Sequence, residues 1–180
     1  MPPSVRLSDT VTLRLLAQED SGRVAAAYDR NRVHLAPWEP TRPEEFFTTA
    51  WQEHDIARSL VAFQADASLP LVLATDDAII GRATLSGITH GAFQCASLGY
   101  WIDGQYAGHG LMSAAVEAVL TMARDDRGLH RVQADTLIHN VSSQRVLRRA
   151  GFEHIGTAPR YLRIAGTWQD HSLFQRILHE

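Results

Sequence analysis

Two hydrophobic periods alternate along the chain, and together they predict a mixture of strands and helices. Apolar side chains recur at every second position, or in short unbroken runs, at residues 11–16, 69–74, 79–88, 93–103, 131–138, 153–164 and 172–178. Short apolar segments of this kind, bounded by turn-forming residues, are typical of β-strands. The connections at 76–77 and 90–91 are short enough for hairpins, so residues 69–103 are predicted to form an antiparallel meander.

A spacing of three or four residues between apolar positions predicts helices at 18–31, 42–63, 111–122 and 142–150. Gly128 is the predicted stop of the third helix, and Ser142 or Ser143 the predicted cap of the fourth. Because a helix separates strand 93–103 from strand 131–138, these two strands are predicted to run parallel through a right-handed crossover. The predicted fold class is therefore α+β, with a mostly antiparallel sheet and one parallel pair.

Length and composition predict that the chain forms one globular domain. Hydrophobic residues make up 45% and charged residues 21% of the 180 residues, which is ordinary globular usage. We therefore expect one domain over residues 1–180. The longest apolar runs are short and the first residues carry no apolar signal core, so no membrane partner and a cytoplasmic location are expected. Cys95 is the only cysteine and is predicted to be a small buried hydrophobe rather than a nucleophile.

The charged residues argue against two common functions. All 17 basic residues are arginine and the net charge is −3. A mildly acidic chain without basic tracts is a poor candidate for nucleic-acid binding, which depends on phosphate neutralisation. The nine histidines are scattered without a metal-ligand spacing, so no metal site is predicted.

The segment QYAGHG, residues 105–110, connects the strand at 93–103 to the helix that follows. The first N–H groups of a helix have no internal partner, so glycines that allow close backbone approach there suit an anion. An ordinary tight turn is the alternative. Residues 139–143 follow the next parallel strand, so two helix starts and the Asn140 amide are expected at one crevice. This convergence favours a phosphate-bearing ligand.

The absence of lysine excludes a Walker loop, and Ser113 stands where a dinucleotide fingerprint requires its third glycine. The segment instead resembles the Gln/Arg-x-x-Gly-x-Gly/Ala loop of the GCN5-related N-acetyltransferase (GNAT) superfamily, through Gln105, Gly108 and Gly110. That loop holds the pyrophosphate of acetyl coenzyme A.

A second motif strengthens the resemblance. NVSSQRVLRRAGF, residues 140–152, is similar to the superfamily's Asn-x-x-Ser element followed by a helix and a Gly-Phe pair. Residues 31–40, the LGYWID strand and residues 166–174 resemble the ribosomal-protein N-terminal acetyltransferase branch. The resemblance implies the acyl-CoA N-acyltransferase fold, with helices on both faces of the sheet, and transfer of acetyl from acetyl-CoA to an amine.

The resemblance also assigns cofactor-binding positions. Asn140 would orient the cofactor, and the backbone near Trp101 and Ile102 would bind the thioester carbonyl if this strand splays from its parallel neighbour. Arg145, Arg148 and Arg149 are candidates for the 3′-phosphate. The pyrophosphate loop would comprise Gln105, Tyr106, Ala107, Gly108, His109 and Gly110.

Two residues are predicted to take part in the chemistry. Ser143 is the expected proton donor or relay to the leaving thiol, and Glu39 is the candidate that guides or deprotonates the amine, with Trp38 as an apolar wall. Helix capping by Ser143 and a solvated turn glutamate are the structural alternatives. The chain departs from its relatives at Ser97, where an acid is common, and at Gln105, where arginine is commoner.

The acceptor is the least determined part of the prediction. About a tenth of a protein α-amine is neutral at pH 7, against less than about a thousandth of a lysine amine, which favours a protein N-terminus such as that of a ribosomal protein. Direct transfer in a ternary complex is expected. The alternatives are a small amine acceptor, such as a polyamine, an aminoglycoside or an amino acid, or a coenzyme A-binding sensor without turnover. A monomer and a homodimer are both compatible with the sequence.

Overall fold

Eight strands form a single sheet in the computed structural model, which describes residues 3–180. The strand order across the sheet is β1-β2-β3-β4-β5-β6-β8-β7. Only β5 and β6 pair in parallel, and every other neighbouring pair is antiparallel. The strands are β1 (Ser4–Arg6), β2 (Thr12–Leu15), β3 (Ser68–Ala74), β4 (Ile79–Thr89), β5 (Cys95–Ile102), β6 (Arg131–Leu137), β7 (Glu153–Ile164) and β8 (Thr167–Ile177).

Five α-helices connect and cover these strands: α1 (Ser21–Arg30), α2 (Arg32–Leu35), α3 (Thr49–Gln64), α4 (Leu111–Asp125) and α5 (Val141–Arg149). Short 3₁₀ turns occur at Gln18–Asp20, Glu44–Phe47 and Gly104–Tyr106. No helix within residues 3–180 is long and apolar enough to cross a membrane. The predicted α+β class, with a mostly antiparallel sheet and one parallel pair, is confirmed.

Helix 42–63 was predicted as one element, but Thr48 divides it. Thr48 has an extended backbone (φ −91°, ψ 150°), and its hydroxyl accepts a hydrogen bond from the Trp51 N–H at 3.3 Å. The residues before it form a 3₁₀ turn, and α3 starts after it. A threonine that caps the following N–H groups stabilises this break in the helix.

The last hairpin is longer than its hydrophobic pattern predicts. β8 begins at Thr167 rather than at residue 172, because Ala165 (φ 48°) and Gly166 (φ 83°) form a two-residue turn with both central residues left-handed. Asn-Gly is the usual sequence for such a turn, and Ala-Gly gives a weaker signal. β1 was not predicted either, since its three exposed residues carry no hydrophobic pattern.

The core lies on both faces of the sheet. In β3 every residue is buried, but alternate side chains enter different clusters. Leu71 and its neighbours two positions away pack with buried residues of α4 such as Val116. Val72 packs on the opposite face with Val24 of α1 and Ile56 of α3. The sheet is thus covered by α1 and α3 on one face and by α4 on the other, as the resemblance implied.

The parallel pair at the centre of the sheet separates after three residues. β5 pairs with β6 only from Cys95 opposite Arg131 to Ser97 opposite Gln133, although β5 continues to Ile102 and β6 to Leu137. On its other edge, β5 stays paired with β4 along its full remaining length. The carboxyl ends of β5 and β6 therefore open into a gap, the arrangement in which α/β sheets bind ligands.

Asp103 fixes the chain where β5 ends. It is 2% exposed, and its carboxylate accepts hydrogen bonds from the Arg30 Nε at 2.6 Å, the Asn31 Nδ2 at 2.9 Å and the Gln105 N–H at 2.9 Å. The Asn31 side-chain oxygen in turn accepts the Gly104 N–H at 3.0 Å. Burial alone would raise the pKa of Asp103, but these hydrogen bonds outweigh it and the pKa is lowered.

Replacing Asp103 by asparagine is expected to lower the free energy of unfolding by about 1.5–3 kcal/mol at neutral pH, because hydrogen bonds to a charged carboxylate are lost. Since folding lowers the pKa of Asp103, its contribution is present above the unfolded value of about 3.9 and is lost as pH falls through the folded value. Urea unfolding at several pH values should show the two proteins converging in acid.

Asp125→Asn is the matched control. Asp125 pairs with Arg124, but both side chains are about half exposed, so water replaces the ion pair at little cost. An equal loss of stability in both variants, or a difference that persists at low pH, would show that Asp103 does not act through its charge.

Candidate active site

The gap between β5 and β6 opens into a cleft of about 650 Å³. Its walls come from the carboxyl ends of the two strands, the first turns of α4 and α5, and residues at the end of α2. The two helix starts and the Asn140 amide that the sequence predicted at one crevice do lie together here. Trp38 faces His139 across the cleft, with ring centroids 5.5 Å apart.

The first turn of α4 is left open to the cleft. Gly110, its N-cap residue, has a left-handed backbone (φ 80°) and supplies no side-chain hydrogen bond to the helix. Gly108 is also left-handed (φ 82°), and a Cβ at either position would meet nothing within 4 Å. Because the first N–H groups of a helix need an external partner, this turn is suited to an anion.

Two residues of the predicted loop do not reach the cleft. Tyr106, Ala107, Gly108 and Gly110 line it, whereas Gln105 and His109 are exposed outside its lining.

The two expected backbone donors of β5 also differ from each other. The Asp103 N–H donates to the Ile80 oxygen of β4. The Trp101 carbonyl oxygen also faces β4, because it lies 2.7 Å from the position that a Cβ on Gly81 would occupy. Because backbone groups alternate in direction along a strand, the Trp101 N–H also points toward β4. Trp101 and Ile102 both line the cleft, but of their two backbone N–H groups the Ile102 N–H is the one on the open edge.

Ser143 lies in the first turn of α5, which is capped by Asn140. The Asn140 side-chain oxygen accepts the Ser143 N–H at 3.1 Å, so the cap is Asn140, and the predicted cap at Ser142 or Ser143 was wrong. The Ser143 hydroxyl is free of that bond and lies 2.8 Å from the Tyr100 hydroxyl. Both side chains line the cleft. Burial raises the pKa of Tyr100 to about 12, so the phenol stays protonated.

The three arginines of α5 are not equivalent. Arg145 and Arg149 line the cleft on one side of the helix, which their four-residue spacing explains. Arg148 points elsewhere, and its guanidinium donates to the Gln144 side-chain oxygen at 3.2 Å. Only the first two are therefore placed to meet a ligand in the cleft.

Glu39 lies in a second cavity, of about 390 Å³, beside the cleft. Leu35 lines both cavities, while the consecutive residues Trp38 and Glu39 line different ones. Between the cavities, the Trp101 indole N–H donates to the Tyr28 hydroxyl at 2.9 Å. The boundary between the cavities is thus built from α1, the end of α2 and β5.

The Glu39 carboxylate is largely buried and forms an ion pair with Arg42 at 3.5 Å. Burial raises its pKa, and the positive charges of Arg42 and Arg82 only partly oppose this. Glu39 is therefore a stronger base than an exposed glutamate. Glu44, the other acid that lines this cavity, is paired with Arg32 at 2.7 Å.

Sequence reasoning missed three contributors to the site. Tyr100 was not singled out, although its spacing of two residues from Leu98 and Ile102 puts it on the face of the sheet that α4 and α5 cover. Asp103 carried a usable signal, since Asp-Gly at the end of a strand is a typical turn. Arg42 carried no such signal in the sequence, because its ion pair with Glu39 depends on the conformation of the turn at 36–41. No group of His, Cys, Asp and Glu within residues 3–180 is arranged to hold a metal ion.

Residues 10–153 match the model of the acetyltransferase (GNAT) domain. The chain belongs to the GNAT acetyltransferase family. It is 36% identical to the [ribosomal protein uS5]-alanine N-acetyltransferase of Escherichia coli K12, over 95% of this chain and 90% of that protein. The structure of the ribosomal-protein-S5-alanine acetyltransferase of Vibrio fischeri matches with a TM-score of 0.95 and 32% identity, over 99% and 98% of the two chains.

A third relative carries the cofactor. Mycobacterium smegmatis RimJ, solved in complex with a coenzyme A disulfide, matches with a TM-score of 0.88 and 28% identity, over 93% of this chain and 81% of that one.

As a member of the GNAT family, the present chain is an acetyl-CoA-dependent N-acetyltransferase. Its own structure fits the co-substrate, because the α4 start offers uncapped N–H groups and the gap between β5 and β6 leaves backbone groups unpaired for an extended arm.

Gly110→Ala is expected to weaken coenzyme A binding about tenfold or more, measured by calorimetry. The new methyl group would stand in the open space at the α4 start, and alanine disfavours the left-handed backbone by about 1–2 kcal/mol.

Gly128→Ala separates these two effects. Gly128 follows the opposite end of α4, is also left-handed (φ 60°) and also has open space for a Cβ. It should lose similar stability yet keep wild-type coenzyme A affinity. If both variants lose affinity equally, backbone strain rather than the anion site accounts for the effect.

Proposed function

We propose that this enzyme acetylates the N-terminal α-amine of a protein, and that a ribosomal protein is its natural acceptor. Two of its relatives carry names that specify an alanine of a ribosomal protein as the acetylated residue. The identities of 36% and 32% are measured over 95% and 99% of this chain. A ribosomal acceptor would place the reaction in the cytoplasm.

The observation that carries the proposal is the charge of the second cavity. Each of its two acids already has an arginine partner, Glu39 with Arg42 and Glu44 with Arg32. A polyamine site needs uncompensated negative charge, which this cavity does not offer. A peptide terminus brings one amine and a neutral backbone, so it matches a cavity with balanced charges.

In this proposal Glu39 guides and deprotonates the amine. A protein α-amine has a pKa of about 7.7–8.0, so a fraction is already neutral at pH 7 and a modest base suffices. The raised pKa of Glu39 brings its basicity closer to that of the amine. Arg42 holds the carboxylate in the second cavity, and Leu35 and Trp38 form the apolar boundary toward the cleft.

When bound, acetyl-CoA supplies the activated acetyl group as a thioester. The Ser143 hydroxyl lies in the cleft and is proposed to relay a proton to the leaving thiolate, taking up a proton from solvent as it gives its own. Asn140 holds the α5 start, and the Ile102 N–H on the open edge of β5 is the proposed donor to the carbonyl oxygen. Cys95 is buried in the paired part of β5 and does not line the cleft, which supports direct transfer without an acetyl-enzyme.

The remaining cofactor contacts are assigned by position. Tyr106, Ala107, Gly108 and Gly110 surround the α4 start and are proposed to hold the pyrophosphate. Arg145 and Arg149 are proposed for the 3′-phosphate. Because all eight strands form one sheet, residues 1–180 are proposed to act as a single N-acetyltransferase domain.

The test is thiol release from acetyl-CoA with four kinds of acceptor. These are peptides that begin with alanine or serine, the same peptides with a blocked α-amine and an internal lysine, spermidine, and an aminoglycoside. We expect turnover with the free peptides only. The chain has no lysine, so self-acetylation is limited to its own terminus and background should be low.

Each other outcome contradicts a definite part of the proposal. Turnover with spermidine or the aminoglycoside alone would replace the protein acceptor by a small amine. Turnover with blocked peptides would transfer the activity to lysine. No turnover with any acceptor, while calorimetry shows coenzyme A binding, would indicate a binding protein.

Glu39→Gln is expected to lower kcat/KM for the peptide about tenfold to a hundredfold while coenzyme A affinity stays unchanged, because a base is removed outside the cofactor cleft. The carboxylate acts as a base above its raised pKa. The ratio of wild-type to variant kcat/KM should therefore shrink as pH falls through that pKa.

Glu45→Gln provides the comparison, since Glu45 is exposed and lines neither cavity. It should retain wild-type kcat/KM. A Glu39→Gln enzyme with an unchanged pH profile would remove Glu39 from the chemistry.

A further inference from the structure

Among residues 3–180, the Tyr100 hydroxyl is the one side-chain group hydrogen-bonded to the Ser143 hydroxyl. It lies 2.8 Å from the serine Oγ and 3.1 Å from the Ser143 carbonyl oxygen. Tyr100 is on β5 and Ser143 on α5, so the contact spans the gap between the splayed strands.

Each hydroxyl has one hydrogen, so the contact has two possible arrangements. In one, Tyr100 donates to the Ser143 carbonyl oxygen and accepts from the Ser143 hydroxyl, which then has no hydrogen left for another partner. In the other, Tyr100 donates to the Ser143 Oγ, and the serine hydrogen is free to point into the cleft. The 2.8 Å distance to Oγ is the usual length of an O–H···O bond, whereas the 3.1 Å distance to the carbonyl oxygen exceeds that length, which favours the second arrangement.

We propose that Tyr100 is a positioning residue: its hydroxyl donates to the Ser143 Oγ and directs the serine hydrogen into the cleft, where the leaving thiol is to be protonated. This inference rests on the proton-donor role of Ser143 stated above. A donated hydrogen bond also stabilises the oxygen as its proton leaves. Tyr100 stays protonated throughout the working range, because burial raises its pKa to about 12.

Packing does not require the hydroxyl. The Tyr100 ring already packs against the apolar cluster under α4, and a phenylalanine ring would fill the same space. Tyr100→Phe thus removes the oxygen that contacts the Ser143 hydroxyl. Tyr161→Phe is the matched control, because Tyr161 lies on β7, is 44% exposed and lines neither cavity.

The experiment is a double-mutant cycle of Tyr100→Phe, Ser143→Ala and the double variant. We expect kcat to fall about tenfold in the first and about a hundredfold in the second, with the double variant no slower than Ser143→Ala. The KM for acetyl-CoA and the calorimetric Kd for coenzyme A should change less than about twofold. Tyr161→Phe should match the wild type.

A second cycle uses the ligand-free proteins. If the hydroxyl contact exists, the drop in urea midpoint of the double variant should be smaller than the sum of the two single drops. Simple addition of the drops would show that the two hydroxyls are not bonded, and would overturn the inference without any measurement of activity.

The kinetic outcomes separate this inference from the proposed function. If Tyr100→Phe keeps wild-type kcat while Ser143→Ala loses activity, the serine donor stands and the tyrosine role falls. If the losses multiply in the double variant, Tyr100 acts independently of Ser143 and the inference is also overturned. If Ser143→Ala keeps wild-type kcat, the proton-donor role itself fails.

Discussion

A buried carboxylate at the end of one strand holds the site together. Asp103 binds the last residue of α1, the residue after it and the first turn of the loop that leads to α4. These partners come from positions about seventy residues apart in the chain. The buried Asp103 carboxylate keeps its charge because its hydrogen bonds replace the hydration that it loses on burial. Its pKa is lowered because these bonds outweigh the cost of burial. The loop before α4 can therefore end in two left-handed glycines without losing its position.

The separation of β5 from β6 is the second constraint. It removes sheet hydrogen bonds between the two strands and opens the cleft there. Three paired residues fix the start of the parallel pair, and β4 and β8 hold the outer edges of both strands. Beyond these three residues, the facing edges of β5 and β6 are not paired with each other, yet both segments remain strands. Unpaired backbone groups are tolerable there only if a ligand or water satisfies them. The same opening brings Tyr100 within hydrogen-bond distance of Ser143.

The two cavities divide the work between different surfaces of the fold. In the proposed function, the cofactor binds to helix starts and backbone groups on one side of Leu35, and the amine arrives on the other side, where charged side chains are already paired. The paired charges of the second cavity are proposed to disfavour polycations, while burial keeps the pKa of Glu39 raised. The boundary residues come from α1, α2 and β5, so a change in one of these elements would alter both cavities at once.

Local pattern was enough for the order of the elements, the parallel crossover and the two motifs at the cleft, because hydrophobic period, glycine turns and helix caps act over a few residues. Ser143, Asn140, Gly108 and Gly110 were placed at the cleft this way, whereas the short caps and turns at Thr48 and Gly166 were missed. The sequence by itself thus determined the fold class and the meeting of the two helix starts at the cleft. Only the tertiary structure decided that Trp38 and Glu39 face different cavities, that Trp101 points its N–H toward β4, and that Tyr100 meets Ser143. These depend on contacts between distant segments and on strand alternation in a particular register, which no local pattern encodes.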